Sequence, residues 1–139
     1  MANVTVAEHV QASPEKVWEV IGKFDAIHRW APGIKEAKAE GTGIGALRTL
    51  TFNGGGSITE RLVSRAESPL AYTSAIERGD LPVNNHISTL MVVDHGDGSC
   101  TVSWVCTFET KPAANEGEVR QVFGDFYRNS IASLKKRFG

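Results

Sequence analysis

The chain has 139 residues, of which 41% are hydrophobic and 22% are charged, and its net charge is −1. This length is typical of one domain with a substantial core, so we predict a single domain over residues 1–139. The near-neutral charge excludes the basic surface of a nucleic-acid-binding protein, and no apolar run reaches the ~20 residues of a membrane span.

The ends of the chain and its cysteines bear on location. Residues 1–13 lack the basic and apolar regions of a signal peptide. Cys100 and Cys106 are six residues apart in one strand-like segment, too far along an extended chain to form a disulfide with each other. Free thiols are typical of a reducing compartment, and we predict a cytoplasmic protein.

The predicted elements begin with one strand and two short helices. Residues 3–11 alternate between apolar and polar side chains, which is typical of a strand. Ser13 then caps a helix whose apolar residues follow a helical spacing. A second short helical turn is predicted from Asp25, as its cap, to Trp30, before a Pro-Gly pair ends it.

Six further strands and one long helix complete the pattern. From Ile34 to Lys111, glycine and proline breaks separate the extended segments of an antiparallel meander. Residues 116–138 then form one helix with an apolar stripe. We predict the α+β class, with a curved seven-stranded antiparallel sheet wrapped around the long C-terminal helix and two short helices after the first strand.

Two of the predicted strands carry a charge on the face that otherwise looks buried. Alternation places Arg48 on the side of Leu50, and Glu60 on the side of Ile58. Burying a lone charge costs several kcal/mol, so the interior would hold a pair, water or a polar ligand. Three interpretations stay open: a polar anchor in a ligand cavity, a structural ion pair across a hairpin, or exposure through a bulge.

As a ligand anchor, the pair would divide its roles. Arg48 would bind a carboxylate, phenolate or carbonyl oxygen. Glu60 would accept a hydroxyl or act as a base, if desolvation raises its pKa.

A set of aromatic residues is arranged to line such a cavity or to fill the core. Trp104 and Phe108 share one face of the last predicted strand, and Phe123 and Tyr127 lie on the stripe of the long helix or beside it. Tyr72 lies on an earlier strand. Tyr72 and Tyr127 matter most, because a buried hydroxyl requires a hydrogen-bond partner.

Lys35 and His86 are further candidates whose direction the pattern leaves open. Lys35 shares a strand face with two alanines, which would leave room for a ligand, although a solvated lysine fits equally well. The segment that follows His86 is partly apolar on both faces, so alternation does not place the imidazole. No histidine stands at metal-ligand spacing with a cysteine or carboxylate, and we predict neither a metal site nor a cofactor.

Several short motifs occur in an order that a known family shares. They are residues 12–18 (Ala-Ser-Pro-Glu-Lys-Val-Trp), Phe24, residues 30–32 (Trp-Ala-Pro), 60–62 (Glu-Arg-Leu), 81–85 (Leu-Pro-Val-Asn-Asn) and 101–104 (Thr-Val-Ser-Trp). Together they resemble the polyketide cyclase/dehydrase-like group of the START/Bet v 1-like, or helix-grip, superfamily over essentially the whole chain. The resemblance implies a seven-stranded sheet that grips the C-terminal helix over a deep apolar cavity. Because members include hormone receptors, lipid carriers and enzymes, the fold does not settle the function.

The plant abscisic-acid receptors of this superfamily are similar at several inward positions. The resemblance matches these positions to Lys35, Arg48, Glu60, Tyr72 and His86, and it turns His86 inward. The receptors' gate and latch sequences are absent, since residues 53–56 (Asn-Gly-Gly-Gly) and 79–82 (Gly-Asp-Leu-Pro) occupy the equivalent turns. These departures argue against hormone binding and against a phosphatase partner.

We therefore expect a monomer or homodimer that binds a hydrophobic, ring-containing small molecule in an internal cavity. The expected ligand-binding residues are Lys35, Arg48, Tyr72, Trp104, Phe108, Phe123 and Tyr127. As an enzyme, the protein would be a cofactor-independent cyclase, dehydratase, lyase or isomerase in which Glu60 or His86 moves a proton. A chaperone-like interaction module is the third hypothesis, and it would expose an apolar patch in place of a cavity.

Overall fold

One antiparallel sheet of seven strands accounts for most of the computed structural model, which describes residues 1–139. The strands are β1 (Ala2–Val10), β2 (Ile34–Glu40), β3 (Leu47–Phe52), β4 (Ser57–Glu67), β5 (Leu70–Gly79), β6 (Val83–Asp94) and β7 (Cys100–Thr110). Their order in the sheet is β1-β7-β6-β5-β4-β3-β2, so β2 to β7 form successive hairpins and β1 closes against β7. The predicted α+β class and the seven-stranded sheet are confirmed.

The segment between β1 and β2 connects opposite edges of the sheet through two short helices. Helix α1 (Pro14–Ile21) begins where predicted, because the Ser13 hydroxyl accepts a hydrogen bond from the Lys16 amide at 3.3 Å. A 3₁₀ helix follows over Phe24–Arg29. Its cap is Lys23 and not the predicted Asp25, and its first residue, Phe24, is buried.

The long helix α2 (Glu116–Arg137) lies against the sheet and packs on β1 and β7. Asn115 caps it, with its side-chain oxygen 3.0 Å from the Glu118 amide nitrogen. The predicted stripe is buried at Val119, Phe123, Ser130 and Leu134, whereas Phe126 is half-buried. None of the helices is long and apolar enough to cross a bilayer.

Two strands separate from each other at one end of the sheet. Strands β5 and β6 pair between Leu70–Ala75 and Ile87–Val92, and no pairing continues beyond those residues. In the same region, the register between β6 and β7 shifts between Asn84 and Ile87, and Asn85 adopts a φ of 53°. The shift interrupts the alternation of β6 immediately before the strand enters the core, so it decides which side chains there point inward.

Candidate functional site

A cavity of about 150 Å³ lies between the sheet and α2. Its lining is mostly apolar and comprises Ile27, Arg48, Leu50, Phe52, Ile58, Glu60, Ile76, Leu81, His86, Ser88, Trp104, Val122, Phe123, Phe126 and Tyr127. Val122 is 55% exposed, so its side of α2 forms the mouth of the cavity. A dry apolar cavity of this volume is large enough to hold one benzene ring.

Flat aromatic side chains form one wall of the cavity. The rings of Trp104 and Tyr127 stack with centroids 4.3 Å apart and planes inclined by 15°. Phe126 packs obliquely on Trp104 at 5.5 Å. The wall therefore consists of aromatic rings from β7 and α2, and such a wall is suited to an aromatic guest.

Arg48 and Glu60 form a buried ion pair at the base of the cavity. They face each other directly across β3 and β4, and they are only 2% and 5% exposed. Arg48 Nε and Nη2 lie 2.9 and 2.8 Å from Oε1 of Glu60. Of the three interpretations made from the sequence, the structure excludes exposure through a bulge, because the pair is an internal ion pair, and it also borders the cavity.

The remaining donors of Arg48 are directed away from Glu60. Its Nη1 donates to the Phe24 carbonyl oxygen at 2.8 Å and to the Tyr72 hydroxyl at 3.1 Å. The guanidinium also lies over the Phe24 ring, 4.1 Å from its centroid. Burial alone would lower the pKa of Arg48. The charges of Tyr72 and Glu60 and their hydrogen bonds to the guanidinium have the larger effect and raise that pKa, so the guanidinium stays protonated.

The second carboxylate oxygen of Glu60 begins a line of hydroxyl groups along the sheet. The Ser74 hydroxyl lies 3.4 Å from Oε2 of Glu60 and 3.3 Å from the Ser88 hydroxyl. Burial raises the pKa of Tyr127 well above its ordinary value, and the neighbouring Cys106 and Glu60 add to the effect. Tyr127 is therefore a neutral phenol. Because the contact of Ser74 with Oε2 of Glu60 is long, that oxygen can still accept a stronger hydrogen bond.

His86 is the polar side chain of the cavity that lacks any partner in the protein. Its ring stacks with Phe123 at 4.6 Å and with Phe108 at 6.1 Å, and it is 3% exposed. Neither Nδ1 nor Nε2 has a hydrogen-bond partner. Burial lowers the pKa of His86, although the Glu60 charge opposes the shift, so the imidazole is neutral near pH 7.

The structure brings most of the predicted site residues together. Those that border the cavity are Arg48, Glu60, His86, Trp104, Phe123 and Tyr127. Tyr72 and Phe108 are buried immediately behind its lining, where Tyr72 supports Arg48 and Phe108 packs on His86.

Lys35, whose direction the sequence pattern left open, does not join them, and its predicted place among the ligand-binding residues is corrected. The register of β2 against β3 shifts between Ile34 and Glu36, which leaves Lys35 as the extra residue of a bulge. Ile34 is buried in its place and Lys35 is exposed. Regular alternation, which places Lys35 on the same strand face as Ala37, therefore does not hold across the bulge.

Two serines of the site were missed by the sequence analysis. Ser74 and Ser88 are buried on neighbouring strands. Strand alternation could have predicted their inward direction. Ser74 is two residues after Tyr72 on β5 and Ser88 is two residues after His86 on β6, so each serine shares a strand face with a candidate site residue. Small hydroxyl residues are common on exposed strand faces, so their type gave no reason to place them inside.

The buried ion pair yields a stability prediction. Arg48→Met should cost about 3–5 kcal/mol in the free energy of unfolding, because Glu60 is left buried without its counter-charge. The double variant Arg48→Met/Glu60→Met should recover much of that loss. Urea unfolding of both variants measures the effect.

The neighbouring surface pair provides the matched control. Arg61 and Glu77 also form an ion pair, but their side chains are 47% and 35% exposed. Arg61→Met should therefore cost less than about 1 kcal/mol. Equal losses in Arg48→Met and Arg61→Met would refute the expected cost of leaving Glu60 buried without its counter-charge.

His86 yields a prediction of pH dependence. Its pKa is lowered in the folded protein, so the unfolded chain takes up the proton first, at about pH 6.5. The unfolding free energy should fall as the pH drops below that value, down to the pKa of the folded state. His86→Phe should remove this part of the pH profile, and the exposed His9→Gln should leave it in place. Identical profiles for the wild type and His86→Phe would refute the assignment.

The protein is similar to solved structures over nearly its full length. XoxI from Bacillus cereus is 29% identical with a TM-score of 0.92, over 99% of this chain and 96% of that one. A protein from Thermobifida fusca is 32% identical with a TM-score of 0.88, over 100% and 94%. A START superfamily protein from Mycobacterium smegmatis, at 18% identity, has a TM-score of 0.83 over 98% and 96%, a likeness of fold.

No curated protein matches the sequence. The family model described as polyketide cyclase/dehydrase and lipid transport, however, matches residues 1–139. With the START-like fold, this match agrees with the resemblance carried by the short motifs of the sequence. The chain therefore belongs to the polyketide cyclase/dehydrase and lipid transport family.

Proposed function

We propose that the protein binds a small hydrophobic molecule containing a planar ring in the cavity beneath α2. The observation that carries this proposal is the apolar cavity walled by stacked rings, with a few polar groups placed among them. Ligand sites generally have this composition, in which apolar walls supply affinity and isolated polar groups fix orientation. Membership of a family described by polyketide and lipid chemistry agrees with such a ligand.

The volume of the cavity narrows the class of ligand. At about 150 Å³, it is smaller than the roughly 300–1,000 Å³ of drug-sized sites. A comparable cavity holds benzene. We infer that the bound part of the ligand is one substituted ring, with any longer substituent leaving through the mouth beside Val122.

Each group of residues has a distinct role in this proposal. Trp104, Phe123 and Tyr127 contact the faces of the ring, and the buried ion pair forms the polar base. Tyr72 and Phe108 act one layer behind the ligand, by holding Arg48 and His86 in place. Lys35 has no role, since it is exposed on the other side of its bulge.

The cysteines support a cytoplasmic location as part of the same proposal. Cys100 and Cys106 are buried and unpaired, and burial raises the pKa of both thiols. Unpaired thiols are typical of proteins that work in a reducing compartment.

Filling the cavity tests the proposal. Ile58 is 5% exposed and borders the cavity, so Ile58→Phe should occupy the space of the guest ring. We expect the wild type to bind 4-ethylphenol or 4-ethyltoluene, and Ile58→Phe to bind them at least about tenfold more weakly while remaining folded. Calorimetric titration measures the affinities, and circular dichroism checks the fold.

Val63→Phe is the control for that substitution. Val63 lies on the same strand but is 44% exposed, so the variant adds the same aromatic ring outside the cavity. Its affinity should equal that of the wild type. Absence of binding to both arenes, or equal affinities in wild type and Ile58→Phe, would refute the proposal.

Acid–base catalysis is a second candidate, favoured by the neutral imidazole of His86, which borders the same cavity as the Glu60 carboxylate. The lowered pKa of His86 leaves a base free of its proton near pH 7. Base-catalysed cyclisation, dehydration and isomerisation of carbonyl compounds begin with removal of a proton beside the carbonyl group. Arg48 contributes little to this chemistry, because Glu60 already neutralises it.

Hydrogen–deuterium exchange tests this second function without knowledge of the natural substrate. In D₂O, the protein should accelerate deuterium incorporation beside the carbonyl of 4-ethylcyclohexanone, as followed by NMR. His86→Phe should abolish the acceleration, and His9→Gln should preserve it. An exchange rate equal to that of buffer at saturating ketone would leave binding as the function of the site.

A further inference from the structure

We propose that the cavity selects neutral ligands that carry a hydroxyl group on the ring, with the hydroxyl bound between Glu60 and His86. This inference rests on the proposed binding function and specifies its ligand class. It also departs from the sequence-based hypothesis in which Arg48 binds a carboxylate.

The charge of Arg48 is already satisfied within the protein. Its Nε, Nη1 and Nη2 all donate to protein acceptors, at distances of 2.8 to 3.1 Å. Glu60 supplies the opposite charge in the same buried space. A second carboxylate would therefore meet a neutral pair whose anionic member also borders the cavity, and repulsion and desolvation would both oppose its binding.

Unused hydrogen-bonding capacity remains at two other groups that border the same cavity. Oε2 of Glu60 has one long contact, 3.4 Å from the Ser74 hydroxyl, and it can only accept. His86 is 3% exposed and has no protein partner at either ring nitrogen. As a neutral imidazole, it provides one N–H donor and one bare nitrogen in either tautomer.

A hydroxyl group matches this combination. Its hydrogen can be donated to Oε2 of Glu60 while its oxygen accepts from the N–H of His86. A carbonyl oxygen would satisfy only His86, and a methyl group would satisfy neither. The stacking of His86 on Phe123 fixes the ring that presents the donor, and the remaining walls suit the arene to which the hydroxyl is attached.

Three matched ligands test the selectivity. 4-Ethylphenol carries the hydroxyl, 4-ethyltoluene replaces it by a methyl group of similar size, and 4-ethylbenzoate replaces it by an anionic carboxylate. At pH 7.5, calorimetric titration of the full-length protein should give the highest affinity for 4-ethylphenol. We expect a factor of about 10 to 100 over each of the other two, since both leave buried polar groups unpaired or add charge.

Two variants of His86 separate hydrogen bonding from packing. His86→Phe keeps a flat ring against Phe123 but removes the donor, so the preference for 4-ethylphenol over 4-ethyltoluene should shrink to within about threefold. His86→Gln retains an N–H donor and should keep part of the preference. Lys35→Gln, on the exposed bulge, should leave all three affinities unchanged.

The possible outcomes distinguish this inference from the binding function beneath it. Equal affinities for the three ligands, or tightest binding of 4-ethylbenzoate, would overturn the hydroxyl site and leave cavity binding intact. An unchanged preference in a folded His86→Phe variant would also overturn it. Absence of binding for all three ligands would overturn both proposals together.

Discussion

The buried ion pair between Arg48 and Glu60 determines how the cavity is built. Through one guanidinium, strand β3 contacts Glu60 on β4, Tyr72 on β5 and the Phe24 carbonyl of the 3₁₀ helix. Burying two charges is costly, and the cost is offset only when each charge has its partner and its hydrogen bonds. Here the pair and its partners come from four separate elements, so the pair requires strands β3, β4 and β5 and the 3₁₀ helix to keep one relative position. That position defines the base of the cavity.

Because its charges cancel, the pair makes the cavity polar without giving it net charge. The guanidinium of Arg48 is directed at protein acceptors, and the unused hydrogen-bonding capacity belongs to Oε2 of Glu60 and the imidazole of His86. Recognition at such a base depends on the pattern of donors and acceptors in the ligand. Under the proposed binding function, apolar contact with Trp104 and Tyr127 would supply affinity, and the polar base would decide which ring is accepted.

Alternation along strands and helices was enough to predict the architecture and the two inward charges from the sequence. It worked for Arg48 and Glu60 because β3 and β4 pair there in regular register, residue for residue. It left the directions of Lys35 and His86 undecided, and each of these residues lies at a shift in register. A bulge depends on how neighbouring strands bend over the core, and residue type along one strand carries little information on that packing.

The two bulges have opposite effects on the chemistry of the cavity. In β2, the extra residue moves Lys35 outward and puts Ile34 in the core, which keeps a second cation away from an interior whose only carboxylate is already paired. In β6, Asn85 takes a φ of 53°, a conformation that asparagine tolerates better than most residues. The strand then continues with His86 inward and Ile87 outward. Together, these local departures from regular pairing exclude an unpaired charge and admit a neutral imidazole, so the polar character of the cavity is set by backbone register as much as by the residues that line it.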